Sequence, residues 1–212
     1  MIAIIDLEIS NITSVFNAFQ KIGVEAKITN DMAEIETAGA LILPGVGAFE
    51  QGINFLNNSG LAEIICERVL EKKIPILGIC LGMQLLANSS TENGNHIGLG
   101  LLEGRVERLK PSNSLYRVPN IGWSPTEPKK IGSLFEDLDS IQSYYYVHSY
   151  HYECERAEDV SATIEYSGMP ITVSVERDNI CGVQFHPEKS QDSGLNLLNR
   201  YVKKLGIVGA VS

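Results

Sequence analysis

The chain has 212 residues, 44% hydrophobic and 20% charged, with a formal net charge of −9 at neutral pH. This is globular composition with apolar side chain enough for one substantial core; it excludes fibrous and disordered classes, and the acidic balance argues against bulk nucleic-acid binding. Four scattered Cys make no disulfide framework, and neither a signal-like N-terminus nor an apolar run of about 20 residues is present, so a single domain over 1–212 is expected, soluble, cytoplasmic and with no membrane partner.

In chain order, residues 2–5 (Ile-Ala-Ile-Ile) form a short apolar run of the kind buried on both faces of a sheet. Ile12, Val15, Phe16, Phe19 and Ile22 recur at helical spacing, with Gly23 as the stop. Val24 to Ile28 predicts a second strand, Asp31 the cap of a short helix, and Ala40–Leu43 a third strand stopped by Pro44-Gly-Val-Gly47. Leu61, Ile64, Ile65 and Leu70 mark a helix over 61–72, followed by a strand at 75–79 and a turn at Cys80-Leu-Gly82. Strand–helix alternation of this kind predicts a mostly parallel sheet with helices on both faces.

Past residue 100 the pattern changes. Residues 104–109, 144–147, 161–166 and 171–175 are strand-like, with Ser167-Gly168-Met169-Pro170 as a hairpin connection, and the polar stretch 88–96 reads as a surface loop. A last strand at 180–185 precedes His186-Pro187, and Leu198, Tyr201, Val202 and Leu205 form the inner face of a closing helix that stops at Gly206. The predicted fold class is α/β, with an antiparallel extension in the second half.

Three segments carry chemistry. Gly78-Ile-Cys-Leu-Gly82, followed by Met83-Gln84-Leu85-Leu86, has the form of a nucleophile elbow: a buried strand runs through Cys80, flanked by glycines, into a helical pattern. There the positive end of the helix favours a sulfur anion, and the Leu81 N–H points toward a developing oxyanion. Gln184-Phe-His-Pro-Glu-Lys-Ser190 places Glu188 two residues beyond His186; in extended chain both side chains share one side, as in a base held by a carboxylate. Pro44-Gly-Val-Gly47 is a glycine loop able to bring backbone N–H groups to a ligand. Taken singly, each has a plain alternative: Cys80 as a small core residue, His186 in a surface turn, the glycines as a tight turn. The other cysteines, Cys66, Cys154 and Cys181, read as packing. No Cys-x-x-Cys or His-x-x-x-His spacing is present, so neither metal nor cofactor is expected.

Together and in this order, Pro44-Gly-Val-Gly47, Gly78-Ile-Cys-Leu-Gly-Met-Gln84 and Phe185-His-Pro-Glu188 resemble the three motifs of the class I (triad-type) glutamine amidotransferases, almost end to end. Pro44–Phe49, Gly98–Leu101, Val118–Trp123, Tyr146–Tyr150 and His186–Ser190 are most similar to the glutaminase subunits of histidine biosynthesis. The resemblance implies a flavodoxin-like fold and Cys80, His186 and Glu188 as a catalytic triad. It also implies an oxyanion hole at Leu81, Val46 and Gly47, and glutamine bound by Gln84 and the strip His148, Ser149, Tyr150. The implied partner is a (β/α)8 cyclase, forming a heterodimer that consumes the ammonia; Asn11, Pro119, Ile121, Trp123 and Lys189 are the residues implied to face it. One departure stands out: the family carries Tyr-Gly-x-Gly-Asn-Leu after the first strand, where this chain reads Leu7-Glu-Ile-Ser-Asn-Ile12. Three other readings stay open: a paralogous glutaminase serving a surface-sugar amidotransferase, an independent cysteine hydrolase, and a silent partner-binding subunit.

Overall fold

The computed structural model describes residues 1–8, 12–113, 115–136 and 141–206. Five strands, β1 (Ile2–Ile5), β2 (Ala26–Thr29), β3 (Ala40–Gly45), β4 (Ile76–Cys80) and β13 (Ile180–Val183), lie side by side in the order β2-β1-β3-β4-β13, all parallel. This is the doubly wound order of flavodoxin-like sheets, with the fifth place taken by a strand from near the chain's end. Side chains alternate across it. Ile2 and Ile4 join one core with Phe19, Phe185 and Tyr201, whereas Ala3 and Ile5 join a second with Phe49, Leu56 and Ile65.

Helices α1 (Ile12–Lys21) and α6 (Gln191–Lys204) cover the first face, and α3 (Phe49–Asn58) and α4 (Leu61–Cys66) the second. Helix α2 (Met32–Thr37) starts as expected at Asp31, whose carboxylate accepts from the N–H groups of Ala33 and Glu34. The single helix expected over 61–72 ends at Cys66 and continues as a π-helical turn, Glu67–Glu71. Helix α3 is new: Phe49, Ile53 and Leu56 have helical spacing, but Gly52 and the polar residues between them weaken the signal.

The antiparallel extension continues from β13 through β12 (Met169–Arg177), β10 (Tyr150–Cys154) and β7 (Gly104–Arg108), and ends in the short strands β5 (Ser89–Ser90), which pairs parallel to β7, and β6 (His96–Ile97). Those two short strands occupy the stretch expected to be a loop. Strand β11 (Val160–Tyr166) forms the expected hairpin with β12 through Ser167 and Gly168, whose φ values of 57° and 79° suit a two-residue primed turn. Outside it, β8 (Asn120–Pro128) and β9 (Gln142–His148) make a long antiparallel ribbon. Strand β8 is hidden in the sequence by Gly122, Pro125 and Pro128, residues that argue against a strand.

Phe185 ties the extension to the parallel sheet. Its ring is fully buried and stacked on Tyr144 at 4.0 Å and 17°, with Tyr146 and Phe135 edge-on. Phe185→Ala is expected to cost about 3–5 kcal/mol in urea unfolding, and Phe185→Leu far less; an alanine variant within 1 kcal/mol of the parent would show that this ring does not hold the two parts together.

Candidate active site

The site forms where β3, β4 and β13 end together. Register pairs Gly45 with Cys80 and Val183 with Ile79, so the glycine loop leaves β3, and the Gln184–His186 segment leaves β13, on either side of the end of β4. Ligand sites of open α/β sheets sit at such carboxyl ends.

Cys80 has φ 55° and ψ −109°, a left-handed backbone turn that non-glycine residues rarely adopt. Both flanking glycines are required by contact. A Cβ on Gly82 would lie 1.6 Å from the Leu43 carbonyl oxygen, and one on Gly78 would lie 2.7 Å from backbone atoms of Gly82 and Met83. The expected elbow is therefore present, but α5 (Leu81–Leu85), the helix it opens, has only five residues. Its dipole is correspondingly small, and the turn contributes chiefly by aiming the sulfur and freeing the Leu81 N–H.

His186 is 2% exposed, and its Nδ1 lies 2.7 Å from Glu188 Oε1. The contact does not arise from extended chain as the spacing suggested: Pro187–Lys189 form a 3-10 turn that folds the carboxylate back under the ring. Ser190 clamps that turn, donating to the His186 carbonyl at 2.6 Å and accepting the Tyr145 N–H at 2.9 Å. Behind it, Gly194 of α6 packs so closely that a Cβ would lie 1.9 Å from the Pro187 carbonyl oxygen. His186 Nε2 is buried with no hydrogen-bond partner among the described residues, which leaves it free to receive a proton. Burial opposes charge on this ring, but the nearby Cys80 sulfur and the Glu188 carboxylate outweigh it and raise its pKa to about 10.

Cys80, His186, Leu81, Val46, Gly47, Gln84, His148, Ser149 and Tyr150 line one cavity of about 300 Å³, open on one side. Glu188 stands behind His186 rather than in the cavity. Gln84 is 6% exposed, and its amide nitrogen donates to the Tyr150 carbonyl at 3.2 Å and to Gln184 Oε1 at 3.0 Å. The side chain of His148 is already engaged: Nδ1 donates to the Tyr150 carbonyl at 2.8 Å, and Nε2 accepts from the Asn120 amide at 3.1 Å. Burial lowers its pKa to about 4, against the pull of that carbonyl, so the ring is neutral near pH 7. Of the residues implied to face a partner, Pro119 lines the rim of the cavity, while Ile121, Trp123 and Lys189 are exposed beside it; Asn11 lies outside the described residues.

Four residues of the site escaped the sequence reading. Glu92 lines the cavity and accepts the Phe49 N–H at 2.7 Å. Ser190, Asn120 and Gln184 act through the contacts given above. Only Gln184 and Ser190 had a signal, since they bracket the His-Pro-Glu segment.

The sequence profile of the family described as "Glutamine amidotransferase class-I" matches residues 3–204. Among curated relatives, "Imidazole glycerol phosphate synthase subunit HisH 2" of Methanococcus maripaludis is 43% identical over 204 residues, spanning 96% of this chain and 100% of the relative. "Imidazole glycerol phosphate synthase subunit HisH" of Sulfurimonas denitrificans is 45% identical over 205 residues, 96% of this chain and 98% of the relative. In fold, the chain is similar to a solved structure described as a glutamine amidotransferase (TM-score 0.72, 24% identity, 97% of this chain and 98% of that one). It is similar also to PurLQS from Thermotoga maritima (TM-score 0.70, 18% identity, 96% and 98%).

Because the raised pKa of His186 rests on its two neighbours, Cys80→Ala and Glu188→Gln should each lower the titration midpoint of this ring, followed by NMR of ¹⁵N-histidine-labelled protein. The sign follows from linkage: stability drawn from the charged ring is fully present below the ordinary value of 6.5 and is lost as pH rises through about 10. A wild-type ring that titrates near 6.5 would contradict the assignment.

Proposed function

This chain belongs to the class I glutamine amidotransferase family, and on that premise we propose that it is the glutaminase subunit of an imidazole glycerol phosphate synthase, acting in histidine biosynthesis. The reading is carried by near-full-length identity to curated subunits of that synthase. The alternatives are not favoured: an independent hydrolase or a surface-sugar paralogue has no such support, and a silent subunit would not need a strained Cys80 beside His186 and Glu188.

Glutamine enters the cavity with its side-chain amide carbon at the Cys80 sulfur. His186 Nε2 takes the thiol proton as the sulfur attacks, and the resulting oxyanion is held by backbone N–H groups at Leu81 and in the Val46–Gly47 segment; removing one such donor from an enzyme costs roughly 10²–10³ in rate. The tetrahedral adduct collapses, the C–N bond breaks, and His186 returns its proton to the departing ammonia. A glutamyl thioester remains, which water hydrolyses with His186 again as base, releasing glutamate and restoring the thiol. Glu188 fixes the ring through Nδ1 and offsets its positive charge. Gln84 and the 148–150 strip hold the amino-acid end of the substrate. The Glu92 carboxylate, on the same cavity wall, suits an α-ammonium group.

Ammonia reacts only while unprotonated, so its transfer calls for a dry path into a synthase subunit. We assign that partner as a (β/α)8 cyclase, paired one to one. The face it would cover is the outer side of β8, where Ile121 is 60% and Trp123 48% exposed next to Pro119 at the cavity mouth. Two large apolar side chains left in water at the edge of a site are typical of an interface.

Two sets of outcomes test this reading. In the complex, Cys80→Ala should release no glutamate while still assembling, His186→Ala should be almost as severe, and Glu188→Gln should lose about 10²-fold in kcat; glutamate release by the Cys80 variant at the parental rate would remove it as nucleophile. Trp123→Ala should weaken association with the cyclase by about tenfold or more in titration calorimetry without altering the fold. Unchanged affinity would move the interface elsewhere.

A further inference from the structure

A chain of buried polar contacts reaches the Cys80 sulfur, and its direction is determined at one backbone atom. The Tyr150 carbonyl can only accept. The Gln84 atom 3.2 Å from it is therefore the amide nitrogen, and so is the His148 Nδ1 proton directed to the same oxygen at 2.8 Å. The second hydrogen on the Gln84 nitrogen then needs an acceptor, which makes the Gln184 atom at 3.0 Å an oxygen. That leaves the Gln184 nitrogen as the atom facing Cys80 Sγ at 3.7 Å, a longer contact than to oxygen because sulfur is the larger atom. Reversing the Gln184 amide would set two NH₂ groups against each other at Gln84 and turn a carbonyl oxygen onto the sulfur. Gln184 is fully buried directly after β13, and its own N–H is held by the Val173 carbonyl at 2.8 Å, so its backbone has no freedom to turn away.

We infer that Gln184 is a fourth member of the catalytic apparatus: its side-chain N–H donates to the Cys80 sulfur and stabilises the sulfur anion once the thiol proton has passed to His186 Nε2. This rests on Cys80 being the nucleophile of the glutaminase reading. It adds a function that His186 cannot perform, because an imidazolium gives up its proton to ammonia within the cycle, whereas an amide N–H stays a donor throughout. It also ties the sulfur to the substrate pocket: the same amide bonds Gln84, so the nucleophile and the wall that holds glutamine are set by one side chain. A hydrogen bond to an anion in a buried site is about twice as strong as a neutral one, and its loss leaves the anion without a partner on that side.

The test is the reactivity of Cys80 toward iodoacetamide, followed by peptide mass spectrometry so that Cys66, Cys154 and Cys181 are read separately, in the full-length parent, Gln184→Met and Gln184→Glu. Folding is checked by circular dichroism and melting. Gln184→Met should slow alkylation at pH 7 about tenfold and recover most of the parental rate at pH 9. Gln184→Glu keeps the shape but sets an oxygen or a negative charge against the sulfur, and should be slower still at pH 7. In the complex, kcat should fall by a similar factor. Should the folded methionine variant alkylate within twofold of the parent at both pH values, the donor is not acting on the sulfur. If that variant does not fold, the glutamate variant decides alone, and parental reactivity in it overturns the inference. Alkylation needs no glutamine, so absence of glutamate release from the parent complex would strike the glutaminase reading and leave this result standing.

Discussion

Everything in the site hangs on the backbone turn at Cys80. A strand that ended in regular geometry would send this side chain into one of the two cores, where cysteine packs well and reacts poorly. The positive φ turns it to the cavity at the end of the sheet, where it borders one of those cores. Such a conformation costs of order 1–3 kcal/mol and persists only where surrounding structure over-determines it. Here β4 is an interior strand, paired on both sides and buried at every position, and Gly82 lies against the Leu43 carbonyl at a distance that admits no side chain. The strain is thus held by the two strands that also deliver the glycine loop and His186. Support and function share the same elements.

Two histidines share the cavity, and their surroundings push them in opposite directions. His186 faces a carboxylate and a sulfur, both of which favour its charged form and make it a ready acceptor of the thiol proton. His148 faces a backbone carbonyl and an amide, is equally buried, and is held neutral, with the charge on His186 itself opposing a second one nearby. The difference does not come from burial, which disfavours the charged form of both. It comes from the neighbours: His186 has the Cys80 sulfur and the Glu188 carboxylate beside it, whereas His148 meets a neutral carbonyl and a neutral amide. One ring therefore suits proton transfer, and the other suits holding a strand end in place, although both are histidines at the ends of buried strands.

Legibility in the sequence followed the range of the interactions. The parallel strands, α1, the Asp31 cap, the 167–168 turn and the elbow were readable because each depends on neighbours a few residues away: an apolar run, a capping oxygen, a glycine pair. Helix α3 and strand β8 were not, because their local composition speaks against them and tertiary pairing overrides it. The order of β13 within the sheet was beyond reach for a similar reason. Its neighbour β4 lies far earlier in the chain, with Ile180 paired to Ile76, and nothing local encodes that pairing. For the site, residue types were visible and their partners were not. His186 and Glu188 were paired correctly on a wrong geometric ground, since the link is made by a 3-10 turn and secured by Ser190 and Gly194, neither of which carries a motif of its own.

The residues that escaped notice share a property: each is polar, uncharged or paired, and defined by what it touches. A glutamine in a sequence has a donor and an acceptor end and no stated direction. Its direction becomes fixed only when some contact in the network is unambiguous, and in this fold that contact is a main-chain carbonyl, at Tyr150, which cannot donate. From there the donors must run outward along Gln84 and Gln184, and the last of them meets the sulfur. The backbone of β10 in the antiparallel extension thereby sets the polarity around a nucleophile that belongs to the parallel sheet. This gives the extension a role beyond covering an edge: without the Tyr150 carbonyl, nothing would dictate which way the buried amides point.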